Sequence, residues 1–324
     1  MKKFNIFSLL VAVVALLATS CSIDTLDYAK SGETREVTLS AQVPSAVGSR
    51  ADNFPGKAAE VKKMSYWVYM VEGSKWTYLP ELSGVADMSS TAAIFRLYLL
   101  KDVNYQVVLW ADAFGGTNSP YNYNPETYEL TMDFSKITAN SEKFDAFFGT
   151  TPITASEDIQ YTNLYRPFAQ LNIGTSDLEG ITANGAELTQ TGIELECASV
   201  LNLKTGEVSS VKSCTYALAA PPTGYEFPYE SAQHDYISLS YVLVGSAKET
   251  RDITLNYYVD TESKTLSISS VPLQRNCRTN VYGGVLFGKP TALNPIIEVN
   301  FETMDHDHSS GYYPPETEEE LPEV

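Results

Sequence analysis

From Val37 onward the apolar residues of this chain recur at every second position and almost nowhere at helical spacing. No other feature limits the fold so strongly, because side chains two apart share one face of a strand, whereas helical neighbours lie three or four apart. Val37, Leu39, Ala41 and Val43 alternate with Thr38, Ser40 and Gln42, which predicts a half-buried strand stopped by Pro44. The run "MSYWVYMVEGSKWTYL" sets a Gly73-Ser74 turn signal between two aromatic stretches and predicts a hairpin. Strands are expected from Ala93 to Leu100 and from Tyr105 to Ala113, then a long loop from Gly115 to Pro125 rich in Gly, Pro, Tyr and Asn. Only Phe134 to Phe148 has room for a helical turn or two.

A second β series starts at "RPFAQLNIGT". It runs through "GIELECASVLNL", "GEVSSVKSCTYALAA", "YISLSYVLVG" and "DITLNYYV" to "NPIIEVNF". Between the two series lies "ASEDIQYTNLY", polar and weak in apolar pattern, so a boundary is expected between Thr162 and Arg166. The economical reading is an all-β chain of two tandem β-sandwich domains, 36–165 and 166–301. Three prolines and eight acids in 302–324 leave nothing for a core, and a disordered acidic tail is expected there.

The N-terminus is a targeting device. Lys2 and Lys3 precede an apolar run from Ile6 to Leu17, too short for the ~20 residues that span a bilayer. Residues 1–20 therefore read as a signal peptide, and 21–35 as a linker. Ala18, Thr19, Ser20 and Cys21 resemble a bacterial lipobox, which makes Cys21 the lipidation site; each buried acyl CH2 contributes about 0.8 kcal/mol of membrane binding. With 22 Lys+Arg against 40 Asp+Glu and a net charge of −18, nucleic acid and anionic lipid are poor partners.

Besides Cys21 there are only Cys197, Cys214 and Cys277, which is no disulfide framework. A two-residue loop at Thr205-Gly206 would pair Lys204 with Glu207. The same register sets Leu203 against Val208, Leu195 against Tyr216, Ile193 against Leu218, and Cys197 against Cys214. Cys197 and Cys214 are therefore a candidate disulfide, with adjacency the firmer expectation and the bond the weaker, because direct cross-strand bridges are strained.

Catalytic signatures are missing. His234 is the one histidine ahead of the tail, it sits in the loop-like "ESAQHDY", and neither a GxSxG elbow nor a Cys-His pattern accompanies it. The chain reads as a non-enzyme without a cofactor, with His234 at the surface. "MDHDH", Met304 to His308, has the donor types for Zn or Cu, but in a floppy tail no metal site is assigned to it. Trp67, Trp76, Trp110 and 21 Tyr raise the question of aromatic platforms for sugars. Trp67 and Trp110 fall inside apolar alternation and are expected in the core, so Tyr121, Tyr123 and Tyr128 of "SPYNYNPETY" are the better glycan candidates.

Four stretches, "YQVVLWADA", "FDAFFGT", "RPFAQLNIGT" and "RNCRTNVYGGVLFG", resemble the fimbrillin-like lipoproteins of Bacteroidetes, the type V pilin superfamily. The resemblance implies two transthyretin-like Greek-key β-sandwich domains and export as a lipoprotein to the outer membrane and cell surface. It also implies assembly into a fimbrium with other fimbrial subunits by β-strand addition. In such pilins an Arg-directed protease removes the first strand, and a neighbour's strand fills the groove through main-chain hydrogen bonds and alternate side chains. Here Arg50 and Ala51 follow the strand "EVTLSAQVP" in a turn-rich loop and form the candidate processing site. Arg35 precedes the strand, so a cut there would not release it. The alternative, that Arg50 is a loop residue of an unprocessed relative, stands beside it. The expected function is a fimbrial subunit or anchor held in the outer membrane by its lipid, with a role in adhesion to a host or glycan ligand. A surface glycan-binding lipoprotein is the rival reading.

Overall fold

The computed structural model describes residues 33–44, 53–286 and 297–304. Its first half contains β1 (Thr34–Gln42), β2 (Lys63–Glu72), β3 (Lys75–Asp87), β4 (Ala92–Leu100), β5 (Asn104–Asp112), β6 (Tyr121–Asn124), β7 (Glu129–Met132), β8 (Phe147–Ile153) and β9 (Ile159–Asn163). The second half adds β10 (Phe168–Thr175), β11 (Leu188–Cys197), β12 (Val200–Asn202), β13 (Val208–Ser209), β14 (Lys212–Thr215), β15 (Asp235–Leu243), β16 (Glu249–Val259), β17 (Glu262–Leu273), β18 (Cys277–Tyr282) and β19 (Glu298–Thr303). Among the described residues, helix is limited to 3-10 turns at Phe134–Lys136 and Glu142–Phe144 and a short α-helix, Leu178–Thr182. The protein is all-β, as its period of two dictates.

Two sandwiches and a bridge account for the sheets. In the first sandwich a β4-β1-β9 sheet covers β3-β2-β5-β8, and Val37, Leu39 and Ala41 of β1 pack with Met64, Val68, Val107 and Leu109. In the second, β15-β10-β18-β19 covers β14-β11-β16-β17, enclosing Leu171, Ile173, Leu239 and Val281 with Ile193, Leu195, Ile253 and Leu255. The bridge is a β13-β12-β7-β6 sheet, in which Leu201 of the second half pairs with Leu130 of the first. Leu201 and Leu203 belong to the same apolar cluster as Tyr69, Val108, Trp110 and Phe148 on the other face of β2, β5 and β8. β5 is therefore covered on both faces, which explains why "YQVVLWADA" reads as a near-continuous apolar run.

The structure moves several boundaries. The segment Gly115–Pro125, expected to be loop, carries β6, which pairs with β7 from Tyr121↔Met132 to Asn124↔Glu129. Polar "ASEDIQYTNLY" supplies β9, which runs parallel to β1 from Thr38↔Ile159 to Gln42↔Asn163. Main-chain pairing fixes β9, and burial does not, so its side chains carry no apolar pattern. Thr34 and Arg35 join β1 and not the linker. Glu302 and Thr303, expected in the tail, pair with Arg278 and Cys277.

The hairpin register also differs. Leu195 faces Cys214 and Cys197 faces Lys212, so the expected pairs Leu195–Tyr216, Ile193–Leu218 and Cys197–Cys214 are not made. Likewise Leu201, and not Leu203, faces Val208. The cause is the turn. Asn202 N donates to Glu207 O (2.8 Å), and the Asn202 side-chain oxygen accepts from Lys204 N (3.0 Å) and Thr205 N (3.1 Å). Gly206, with φ +75°, closes a loop of Leu203, Lys204, Thr205 and Gly206 in place of the two-residue turn that pairs Lys204 with Glu207. Leu203 turns inward, its N–H donating to Tyr128 O (2.8 Å). A slip by an even number of residues keeps every side chain on its expected face.

Candidate functional site

β1 is the middle strand of its sheet. It pairs antiparallel with β4 from Thr34↔Leu100 to Gln42↔Ala92 and parallel with β9 along its second half. Val37, Leu39, Ala41 and Val43 are at most 1% exposed. Each of the larger three contributes about 1.5–3 kcal/mol by leaving water. Taking β1 away would open a groove floored by the first apolar core and leave ladder groups of β4 and β9 without partners, a state that invites another strand. At the start of β1, Arg35 donates through Nη1 to Ala155 O and Ser156 O, both 3.1 Å, and forms an ion pair with Asp158.

After Arg50 the described chain resumes at Asn53, and from there it is held by residues of both halves. Asn53 O accepts from Glu226 N (2.9 Å), and its amide donates to Gly224 O. Arg278 Nη2 donates to Pro55 O (2.9 Å), and Arg166 Nη2 to Gly56 O (2.8 Å). Gly56 N donates to Glu142 Oε2 at 2.7 Å. Gly56 has φ +90°, and a Cβ on it would lie 2.3 Å from Met304 Cε and 2.9 Å from Gln170 Nε2, so the segment is threaded where glycine alone fits.

The clamp on this segment is polar and buried. Arg166, 2% exposed, grips Asp145 through Nε (2.8 Å) and Nη2 (3.0 Å), reaches Asn276 Oδ1 (3.1 Å) and lies 4.6 Å over the Phe147 ring. Tyr241 donates to Glu142 Oε1 (2.7 Å) and accepts from Gln170 Nε2 (3.0 Å). Gln170 Oε1 in turn accepts from Arg278 Nε (2.7 Å). Asn172 donates to Asn280 Oδ1 (2.8 Å), and Asn280 to Asn300 Oδ1 (3.0 Å), which carries the network to β19. Burial pushes the Glu142 carboxyl up to about 7 and the Asp145 charge adds to this, against the pull of the Gly56 N–H, Tyr241 and Arg166.

Three of the four sequence stretches meet here. "FDAFFGT" supplies Asp145 and Phe147, "RPFAQLNIGT" supplies Arg166, Gln170 and Asn172, and "RNCRTNVYGG" supplies Asn276, Arg278 and Asn280. Phe168 and Leu171 are buried in the apolar cluster. The polar residues between them are buried too, because β10 is covered on both faces. An Arg-Pro pair opening such a strand was the available signal.

Other sequence candidates are distributed widely. Cys21, Arg50 and Ala51 lie outside the described residues, as does all of "MDHDH" but Met304. Cys197 and Cys214 are free buried thiols on one sheet face, with Cys214 Sγ 3.6 Å from Cys197 O and 3.3 Å from Lys212 O. A hydrogen bond to the Cys214 sulfur, together with burial, pushes the Cys197 thiol up. His234 is only partly exposed and meets the Tyr282 ring edge-on at 4.9 Å. Tyr121, Tyr123 and Tyr128 are no display loop. Tyr121 is buried and donates to Phe144 O (2.6 Å), Tyr123 shares a hydrogen bond with Tyr69 (2.8 Å), and Tyr128 packs edge-on against Trp76. Trp110 is in the core as expected, but Trp67 is half-buried and lines a hollow. Among the described residues no group of three or more His, Cys, Asp or Glu could hold a metal ion, and no helix is long and apolar enough to cross a membrane.

These features define an all-β chain whose first strand completes a core while the segment after it is anchored independently. The chain belongs to a family of unknown function, DUF6562, whose family model matches residues 29–308. No curated protein matches it. Similar solved structures include a candidate polysaccharide-binding protein of Bacteroides thetaiotaomicron (14% identity, 84% of this chain and 99% of that one, TM-score 0.48). A candidate cell adhesion protein of Bacteroides uniformis is similar at 11% identity over 83% and 99% of the two chains, with TM-score 0.47. A fimbrial assembly protein of Parabacteroides distasonis is similar at 12% identity over 83% and 96%, with TM-score 0.40.

Proposed function

We propose that this chain is a cell-surface lipoprotein, tethered to the outer membrane through Cys21, that serves as a fimbrial subunit or anchor with a role in adhesion. Cleavage between Arg50 and Ala51 releases β1, and a strand from a neighbouring subunit takes its place between β4 and β9. The observation that carries this reading is the placement of β1. It is the central strand of a sheet and its alternate side chains complete a core, yet the chain beyond the candidate cut is secured by Glu142, Arg166 and Arg278 and not by β1. Cutting would free the strand and leave the segment from Asn53 to Gly56 in its clamp.

Two measurements test the reading. Radioactive fatty acid should label the wild type and not Cys21→Ala; equal labelling of both refutes the tether. N-terminal sequencing of protein recovered from assembled surface filaments should start at Ala51. A start at Cys21 there means that the chain is an uncut anchor or no pilin subunit.

A further inference from the structure

The half-buried Trp67 lies at the centre of a groove that strand assembly does not use. It stands on β2, on the face turned away from the first apolar core, and two hollows of about 260 and 240 Å³ adjoin at it. The first opens toward β5 and is lined by Asp112, Asn122 and Tyr123; the second opens toward β3 and is lined by Tyr78. Ser65 and Trp67 line both. The second hollow exists because β3 bulges. Its pairing jumps from Tyr66↔Gly84 to Val68↔Leu79, so the residues of β3 between Leu79 and Gly84 have no ladder partner on β2; Pro80 and Ser83 line the hollow beside Trp67, and Ser83 Oγ takes the Val68 N–H (2.9 Å).

The groove is aromatic and polar but carries no available charge. Trp67 and Tyr123 stack with centroids 4.1 Å apart and planes at 40°. The side chains of Ser65, Trp67, Tyr78 and Asn122 make no hydrogen bond to any described residue, so an indole N–H, two hydroxyls and a carboxamide remain open to a ligand. Asp112 is already engaged by Trp110 Nε1 (2.9 Å), Phe114 N (2.8 Å) and Gly115 N (2.7 Å), and burial raises its pKa. An apolar ligand would leave the open polar groups dry, and an anion would meet no cation in a chain of net charge −18. A pyranose ring offers what remains: a C–H face for an aromatic ring, and hydroxyls that both donate and accept.

We infer that the Trp67 groove binds a neutral oligosaccharide. The site belongs to the uncut monomer and does not depend on strand exchange, so its test is separate from that of assembly. Maltohexaose, mannohexaose and laminarihexaose would be titrated into the full chain, with calorimetry and tryptophan fluorescence as readouts. A hexagalacturonate would serve as the anionic control, and a proline-rich peptide as the competing ligand class. The expected result is saturable binding of at least one neutral hexasaccharide with Kd of about 1 mM or tighter, weakened about tenfold or more in Trp67→Ala. Asn122 is exposed, so Asn122→Ala keeps the fold and should weaken binding as well, with an unchanged Tm. The inference is overturned by no saturable signal up to about 10 mM of any of the three sugars. It is equally overturned by sugar affinity untouched in Asn122→Ala, or by preference for the peptide or the anionic control.

Discussion

At the residue scale, the clamp on Gly56 couples a buried acid to solvent pH. Because the Glu142 pKa is raised from the ordinary 4.5 to about 7, the folded protein holds a proton in that interval that the unfolded chain has lost. Its contribution to stability is therefore fully present below about 4.5, declines as pH rises, and is gone above about 7. Glu142→Gln imitates the protonated form, so the difference in Tm between wild type and variant should vary across that window and level off on either side; a constant difference would show that Glu142 does not titrate there. The Arg166–Asp145 pair makes a second test. Both side chains are 1% exposed, so Arg166→Met takes the guanidinium away from a buried carboxylate and should cost about 3–5 kcal/mol by urea denaturation. Adding Asp145→Leu should recover much of that loss, because the pair together also carries the expense of desolvating two charges.

At the element scale, the proposed strand exchange treats β1 as a ligand that happens to be covalently attached. A chain beginning at Ala51 retains the clamp but exposes the floor of the groove. A synthetic peptide spanning Thr34 to Val43 should bind it and raise its Tm; at a hundredfold excess over Kd the gain is about 2.7 kcal/mol. Placing Asp at Leu39 of the peptide buries a charge in the first core and should abolish the effect. If both peptides act alike, the groove does not read the alternating side chains and the strand-exchange reading fails.

At the scale of the whole molecule, the bridging sheet decides how the halves respond to stress. The apolar cluster that fills the second sandwich continues through Leu201 and Leu203 to Tyr69, Trp110 and Phe148 of the first half. Unfolding either half alone would uncover that surface, so calorimetry should show a single cooperative transition, with calorimetric and van't Hoff enthalpies equal. Residues 36–165 expressed alone should aggregate, since β5 and β8 would present their outer face to water. Two separated transitions, or a well-behaved monomeric fragment, would contradict this.

The all-β class, the alternation that buries Val37 through Val43, and the Gly73-Ser74 hairpin, in which Glu72 pairs with Lys75, were legible in the amino-acid sequence alone. These are local properties: a period of two, or a pair of turn residues, acts within one strand or between chain neighbours. Other features depend on partners far along the chain and were decided by tertiary packing. β9 has no pattern of its own and exists because β1 offers it a ladder, and the hairpin register was set by the Asn202 side chain capturing two N–H groups and by Leu203 finding Tyr128. The clamp was least legible of all. Gln170 and Asn172 alternate with Leu171 and Ile173 like the solvent face of an ordinary strand, and only the layer packed over them turns that face into a buried network. Burial converts a polar side chain from a surface residue into an obligatory hydrogen-bond partner, and burial is a property of the assembled molecule.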